Sequence, residues 1–488
     1  MSSKKSLKKL IKIYVNLPVQ VKASMWFVAS TVLLKGISFI TVPIFTRLMT
    51  TEQYGIYSIY LTWCEIFTVI GTLSLESCAY IKALTKFDPK EKDEAQISLL
   101  ELAFFVTSVL MIIILFGGKE ISSLVGLPKD ILLLMVLQIY FVPAVNFWSM
   151  RSRFQYKYKS LVAVSVSMSV FNALIGILFV MNLDIEHQAY GRVLSIVIVQ
   201  VSYGLFLLYQ LLKKTKLCVS LKYWRWGLKL HIPLLPHTLS LKVLAGADRI
   251  MINSMIGATS AALYSVSYSV AVIVNLVKTS IVDAMRPWIY TKLENKEIED
   301  IKDVVNGILF LVSMLTLVFV AFAPEVIWIA APSNYYEAIY CMPPVMISSF
   351  FTFLYNVFSI VEMYYEETKN IMFASIGAAL LNVGLNYFFI QIFGYIAAAF
   401  TTLVCYIFLA IAHYIMMQMV LKKNGVEIQL FDQKMIFGMC ILLLALMMFF
   451  EFLYSYNVLR YIVLLVIVGI LIYKRQYFIG LMKLLKGK

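Results

Sequence analysis

The sequence predicts an all-α polytopic membrane protein, and three observations predict it. Of 488 residues, 61% are hydrophobic and only 14% charged, where soluble domains run at about 45–50% apolar and about 25% charged. Apolar runs of roughly 20 residues, enough to span a hydrocarbon core, recur from end to end, about fourteen in all. The polar segments between them are too short to fold alone. A soluble globular enzyme is excluded, and a single-span receptor does not fit.

In chain order the spans fall near 24–44, 57–80, 97–117, 131–150, 161–181, 189–212, 230–255, 261–283, 304–323, 339–360, 371–391, 395–418, 435–453 and 459–473. Helices follow because backbone polar groups in hydrocarbon must be satisfied within the segment, and these runs lack the alternation of a barrel strand. The longest polar connections are 82–96, 213–229 and 286–303, and the outer ones are shorter, 324–338 apart. A catalyst working on polymer outside the membrane would need a larger outer loop.

The net charge of +15 sorts by membrane side. With the N-terminus inside, about 33 of the 42 Lys and Arg fall on the cytoplasmic face, and about three, Arg47, Lys119 and Lys129, fall outside. Lys35, Arg192, Lys242, Arg249, Lys278 and Arg460 lie within or at the edges of spans. Both termini are thus expected in the cytoplasm, and the basic excess reads as an orientation signal with no nucleic-acid partner. Residues 1–22 are basic, but Lys12, Asn16 and Pro18 break their apolar stretch, so no cleavable signal peptide is expected. Segments 4–14 and 478–488 read either as basic amphipathic helices on the inner leaflet or as topology signals alone. Cys64, Cys78, Cys218, Cys341, Cys405 and Cys440 show no CxxC spacing, and neither a disulfide frame nor a metal site is expected.

Sliding the chain against itself gives a repeat. At an offset of about 207 residues, Thr31, Leu34 and Lys35 fall on Thr238, Leu241 and Lys242, and Tyr57 and Ser58 on Tyr264 and Ser265. Near 210, Lys159 falls on Lys369 and Asn172 on Asn382. Spans one to six then correspond to seven to twelve in the same orientation. The expected organisation is a basic N-terminus (1–23), a six-helix bundle (24–212), a cytoplasmic linker (213–229), a second six-helix bundle (230–418), an appended helix pair (435–473) and a basic tail (474–488).

A charge at mid-span costs roughly 2.5–3.5 kcal/mol and needs a cavity, a partner or a route to the interface. Lys35 and Lys242 occupy matching mid-span places, and Arg249 follows Lys242 by about two helical turns on the same face. These three are candidate ligands for an anionic substrate; snorkelling is the plain alternative for the lysines, an ion pair with Asp248 or Glu65 for Arg249. Glu65 and Asp248 are the carboxylates placed deepest, as proton or Na⁺ carriers or as counter-ions. Lys278, Asp283 and Arg286 read as a solvated vestibule, Arg192 and Arg460 as interface anchors. His231 and His237, beside Pro233 and Pro236, mark a kink or helix start. Tyr54, Tyr57, Tyr60 and the pair Tyr335-Tyr336 are candidates for stacking on sugar rings.

The stretch Lys35-Gly36-Ile37-Ser38-Phe39-Ile40-Thr41-Val42-Pro43-Ile44-Phe45-Thr46-Arg47-Leu48-Met49-Thr50, continuing through Glu52-Gln53-Tyr54-Gly55-Ile56-Tyr57, resembles the opening of the polysaccharide biosynthesis flippases called Wzx. So does Asp248-Arg249-Ile250-Met251-Ile252, leading through Gly257 to Tyr264-Ser265. The resemblance is to the wider superfamily of multidrug, oligosaccharidyl-lipid and polysaccharide exporters. It implies two six-helix bundles in a V-shaped arrangement plus two appended C-terminal helices, and a transporter with no catalytic residues and no cofactor. The implied activity is flipping of a polyprenyl-diphosphate-linked oligosaccharide from the inner to the outer leaflet of the bacterial cytoplasmic membrane, coupled to H⁺ or Na⁺, for O-antigen or capsule. Lys35, Lys242, Arg249 and Arg47 would bind substrate. Membrane lipid, a polysaccharide polymerase and chain-length machinery are the implied partners. A multidrug or cation antiporter of the same superfamily, and a membrane glycan polymerase or ligase, are the alternatives.

Overall fold

The computed structural model describes Tyr14 and residues 16–213, 219–295, 297, 299–426 and 430–473. The segments 4–14 and 478–488 lie outside these residues, Tyr14 apart. Eighteen α-helices carry the described chain: α1 Val19–Leu48, α2 Thr51–Thr72, α3 Ala79–Lys86, α4 Pro89–Phe116, α5 Gly118–Val125, α6 Lys129–Phe154, α7 Tyr158–Asn182, α8 Gln188–Leu212, α9 Leu221–His231, α10 Leu235–Met255, α11 Ala258–Glu294, α12 Glu299–Ala321, α13 Ala323–Ala330, α14 Met342–Tyr364, α15 Thr368–Phe393, α16 Ala397–Lys423, α17 Gln433–Leu453 and α18 Asn457–Tyr473. Eleven of them are long and apolar enough to cross a membrane. Each predicted span overlaps a long helix, but the second, 57–80, is broken by a turn at 73–78 between α2 and α3; α2, α10 and α18 are the three span helices outside the eleven. The polar residues His237, Lys242, Asp248 and Arg249 dilute the apolar character of α10, and α18 is only 17 residues long.

Local chemistry fixes the helix ends. The Thr50 hydroxyl accepts the Gln53 N–H at 3.3 Å to open α2, an N-cap that satisfies one orphan donor. Asp432 does the same for α17, accepting from Met435 N–H at 3.1 Å; that bond holds its carboxyl below the usual range. Between α10 and α11 the chain turns at Gly257 with φ +129°, a backbone region that side chains with a Cβ rarely adopt.

Contacts divide the chain into two compact units, the first ending at Leu239 and the second beginning at Ser240. In unit 1, α6 and α7 pack on α8, and α1 lies on α7. One core of the unit gathers Leu75, Tyr80, Leu99, Phe147, Leu207 and Tyr223. The predicted linker ends in α9, which packs on α3 and α4. Its buried Tyr223, Gly227 and His231 recur every four residues, leaving Lys222, Arg225 and Lys229 exposed. His231 Nε2 accepts the Ala79 N–H at 2.8 Å. The Glu91 carboxylate, 3.0 Å from Lys222 Nζ, raises the pKa of that ammonium. A turn at 232–234 then leads into α10, whose first turn holds Pro236, where a missing N–H costs nothing.

In unit 2, α14 is the central helix, buried on nearly every face from Met342 to Glu362. It is enclosed by α11, α12, α16 and α17. The helix α17 also packs on α12, so the predicted appended pair begins as an integral part of this unit.

Candidate functional site

Asp248, on α10, is fully buried. Three neutral donors from three helices converge on it. Tyr264 Oη (α11) donates to Oδ2 at 2.5 Å, Thr402 Oγ1 (α16) donates to Oδ2 at 2.6 Å, and Asn386 Nδ2 (α15) donates to Oδ1 at 2.7 Å. Asn382 lies one turn before Asn386, accepting from it at 3.2 Å and donating to Thr402 at 3.2 Å. Thr401 donates to Asn386 Oδ1. A buried carboxylate is tolerated only when hydrogen-bonded or paired, and here neutral oxygen and amide groups do the work. The result is a shell of carboxylate, hydroxyl and amide oxygens within one bundle. Such hard oxygen donors suit a proton or an alkali cation and not a soft metal.

The other predicted residues are placed as follows. Arg249, next to Asp248, stacks its guanidinium over the Tyr268 ring at 4.2 Å, and Lys242 is half-buried on the same helix. Lys35 is exposed on α1, in unit 1. Arg47 is exposed at the end of α1, with Nη1 donating to Pro43 O at 3.0 Å. Glu65 is exposed on α2. Of the tyrosine candidates, Tyr60 and Tyr335 are fully buried within their units.

Three charges differ from the sequence reading. Arg192 is not an interface anchor: it is 6% exposed, and Nη1 donates to Asn172 Oδ1 and, at 2.8 Å, to Ser195 Oγ. Its guanidinium lies over Phe45 at 4.3 Å and Tyr57 at 5.1 Å. Arg460, 1% exposed, is likewise inside, paired with Glu325. In both cases polar partners on neighbouring helices outweigh the pull of the interface. Lys278 is no solvated vestibule residue; it is 3% exposed and donates to Ser349 O at 2.7 Å. The sequence reading also missed a pair, Glu362 on α14 and His413 on α16, both fully buried with Oε1 and Nδ1 2.7 Å apart.

Gly176 explains how Arg192 fits. A Cβ there would meet Arg192 Nη1 at 2.8 Å, Phe45 Cζ at 3.0 Å and Ser195 Oγ at 3.1 Å. Gly176→Ala is therefore expected to lower stability by about 1–3 kcal/mol through overpacking. Gly36→Ala, where an added Cβ meets nothing within 4 Å, is expected to be neutral or stabilising; thermal unfolding of the two purified variants checks this.

Comparison with known proteins places this geometry in context. A family described as "Polysaccharide biosynthesis protein" matches residues 21–293. A structure of the lipid II flippase MurJ in an inward closed conformation superposes with a TM-score of 0.66 at 15% identity, covering 94% of this chain and 99% of that one. An inward-facing multidrug-resistance MATE transporter of the MOP superfamily gives 0.61 at 13% identity, over 84% of this chain and 99% of that one. A MOP superfamily transporter from Pyrococcus furiosus Vc1 (DSM3638), described as having a binding pocket of reverse polarity, gives 0.53 at 14% identity, over 84% and 96%. At these identities the likeness is one of fold. No curated protein matches the chain.

Proposed function

From the premise that this chain belongs to the polysaccharide biosynthesis protein family, we propose that it is a flippase for polyprenyl-diphosphate-linked oligosaccharide repeat units. It moves them from the inner to the outer leaflet of the bacterial cytoplasmic membrane by alternating access, across about fourteen spans with both termini cytoplasmic. Lys35, Lys242 and Arg249, with Arg47, engage the anionic groups of the substrate. Asp248 holds the coupling cation, H⁺ or Na⁺; Glu65, exposed on α2, is the weaker candidate. A polymerase and chain-length machinery would take the product on towards O-antigen or capsule.

The observation that carries the reading is that a family of polysaccharide biosynthesis proteins shares its fold with a lipid II flippase, in a chain whose cations stand inside helices. Lys35 lies in the body of α1 and Lys242 and Arg249 in that of α10. A diphosphate-linked sugar needs such cations, since charge-assisted hydrogen bonds contribute about 1.5–3 kcal/mol each. The MATE likeness favours a second reading, a drug or cation antiporter. That carrier would move organic cations, for which three basic residues are poor ligands.

Replacing Lys35, Lys242 or Arg249 by Gln is expected to cut surface glycan roughly 10–100-fold, the counterpart of one lost charge-assisted bond, with membrane levels of the protein unchanged. Immunoblotting of membranes and gel analysis of surface glycan check it. Normal glycan in all three variants would sink the site assignment. In a deletion strain, the lipid-linked intermediate is expected to accumulate on the cytoplasmic leaflet; a drug antiporter predicts drug sensitivity with normal glycan.

A further inference from the structure

We infer that Arg192 is a tethered cation, filling in unit 1 the place that unit 2 keeps for a cation that binds and leaves. The inference rests on reading Asp248 as the coupling site.

At the repeat offsets of 207 and 210, α1, α2, α7 and α8 correspond to α10, α11, α15 and α16. Two members of the polar cluster are retained: Tyr57 matches Tyr264, and Asn172 matches Asn382. They do equivalent work. In unit 1, Asn172 and Tyr57 accept from Arg192, the Tyr57 contact being 3.4 Å. In unit 2, Asn382 bonds Thr402 and Tyr264 bonds Asp248. At the same offset of 210, Arg192 and Thr402 occupy one position of the repeat.

The remaining members change together. Where unit 2 has Asp248, unit 1 has Thr41; where unit 2 has Asn386 and Thr401, unit 1 has Gly176 and Gly191. The carboxylate and one amide are gone and a guanidinium has arrived. The missing side chain at Gly176 opens the space for it, since a Cβ would lie 2.8 Å from Nη1. Unit 2's cluster is a carboxylate held by two hydroxyls and an amide N–H, the place proposed above for the coupling cation. Unit 1's cluster carries its own, held by neutral acceptors and the faces of Phe45 and Tyr57. A fixed guanidinium in a desolvated place repels any second cation. At this position of the repeat, cation exchange is thereby confined to unit 2.

The test reverses the exchange. Thermal unfolding of the purified protein is followed in sodium, potassium or choline chloride at matched ionic strength, and across pH. A ligand that binds only the folded state raises Tm. The wild type is expected to show a cation- or pH-dependent rise that Asp248→Asn removes. On that background, adding Thr41→Asp, Gly176→Asn and Arg192→Thr is expected to restore a rise of a few degrees, because unit 1 then carries the counterparts of Asp248 and of its three hydrogen-bond donors, Tyr264, Asn386 and Thr402. A folded, monodisperse variant that stays unresponsive overturns the inference while leaving the Asp248 reading standing. A wild type without any response that Asp248→Asn removes overturns the Asp248 reading, and the inference with it. Should the combined variant fail to fold, Arg192→Ala decides: millimolar guanidinium, and not urea of the same size, is expected to restore its Tm. Equal rescue by both, or by neither, overturns the tethered-cation assignment.

Discussion

Asp248→Asn is expected to leave the protein in the membrane at near wild-type levels and to cut glycan export roughly 100-fold, about 2.7 kcal/mol. Asn keeps an acceptor for Asn386, and its NH2 can donate to the Tyr264 and Thr402 hydroxyls once they turn to accept, so the cage survives without the charge that gives a cation a reason to bind. Asp248→Leu separates charge from structure. It leaves the buried Tyr264 and Thr402 hydroxyls without their acceptor, at about 1–3 kcal/mol each, and is expected to reduce the amount of folded protein as well. Export assayed beside membrane abundance resolves the two. Full export by Asp248→Asn would remove Asp248 from the coupling step.

The largest effect on stability is expected at the Glu362–His413 pair. Both side chains are fully buried, and their outer atoms, Oε2 and Nε2, have no hydrogen-bond partner among the described residues. The imidazole stacks on Tyr355 at 5.4 Å, so its orientation is set from two sides. Removing one member of a buried pair strands the other, at about 3–5 kcal/mol, whereas replacing both by apolar residues of similar size is often neutral. Glu362→Leu and His413→Leu are each expected to destabilise by that amount, and the double variant by less than either. A double-mutant cycle in thermal unfolding reads the coupling directly. Additive losses would mean the two groups act independently.

Helix positions were legible in the sequence because the bilayer imposes a length that composition reveals directly. Asp248 was legible too, since a lone carboxylate in an apolar run advertises its cost. Its distant partners were not: Asn386 and Thr402 are uncharged and belong to helices 138 or more residues away in the chain. A weak signal existed in the four-residue spacing of Asn382 and Asn386, which stacks two amides on one face of α15. Arg192 was misplaced because proximity to a helix start suggests the interface, and sequence does not reveal that Gly176 and Asn172 have prepared a seat for it. Glu362 and His413 went unnoticed for a related reason. Each is a lone ionisable residue within the apolar body of its helix, and only packing shows that the two meet.

The last two helices bear on how this chain can be shortened or grafted. The Tyr454 hydroxyl donates to Val320 O at 2.6 Å, and Arg460 pairs with Glu325 on α13. A chain cut after residue 430 would strip both, leaving a carboxylate bare at the edge of the second bundle. The C-terminal pair is therefore a lid over a charge as much as an addition to a repeat. A six-helix module lifted from this protein would have to carry its own replacement for Arg460.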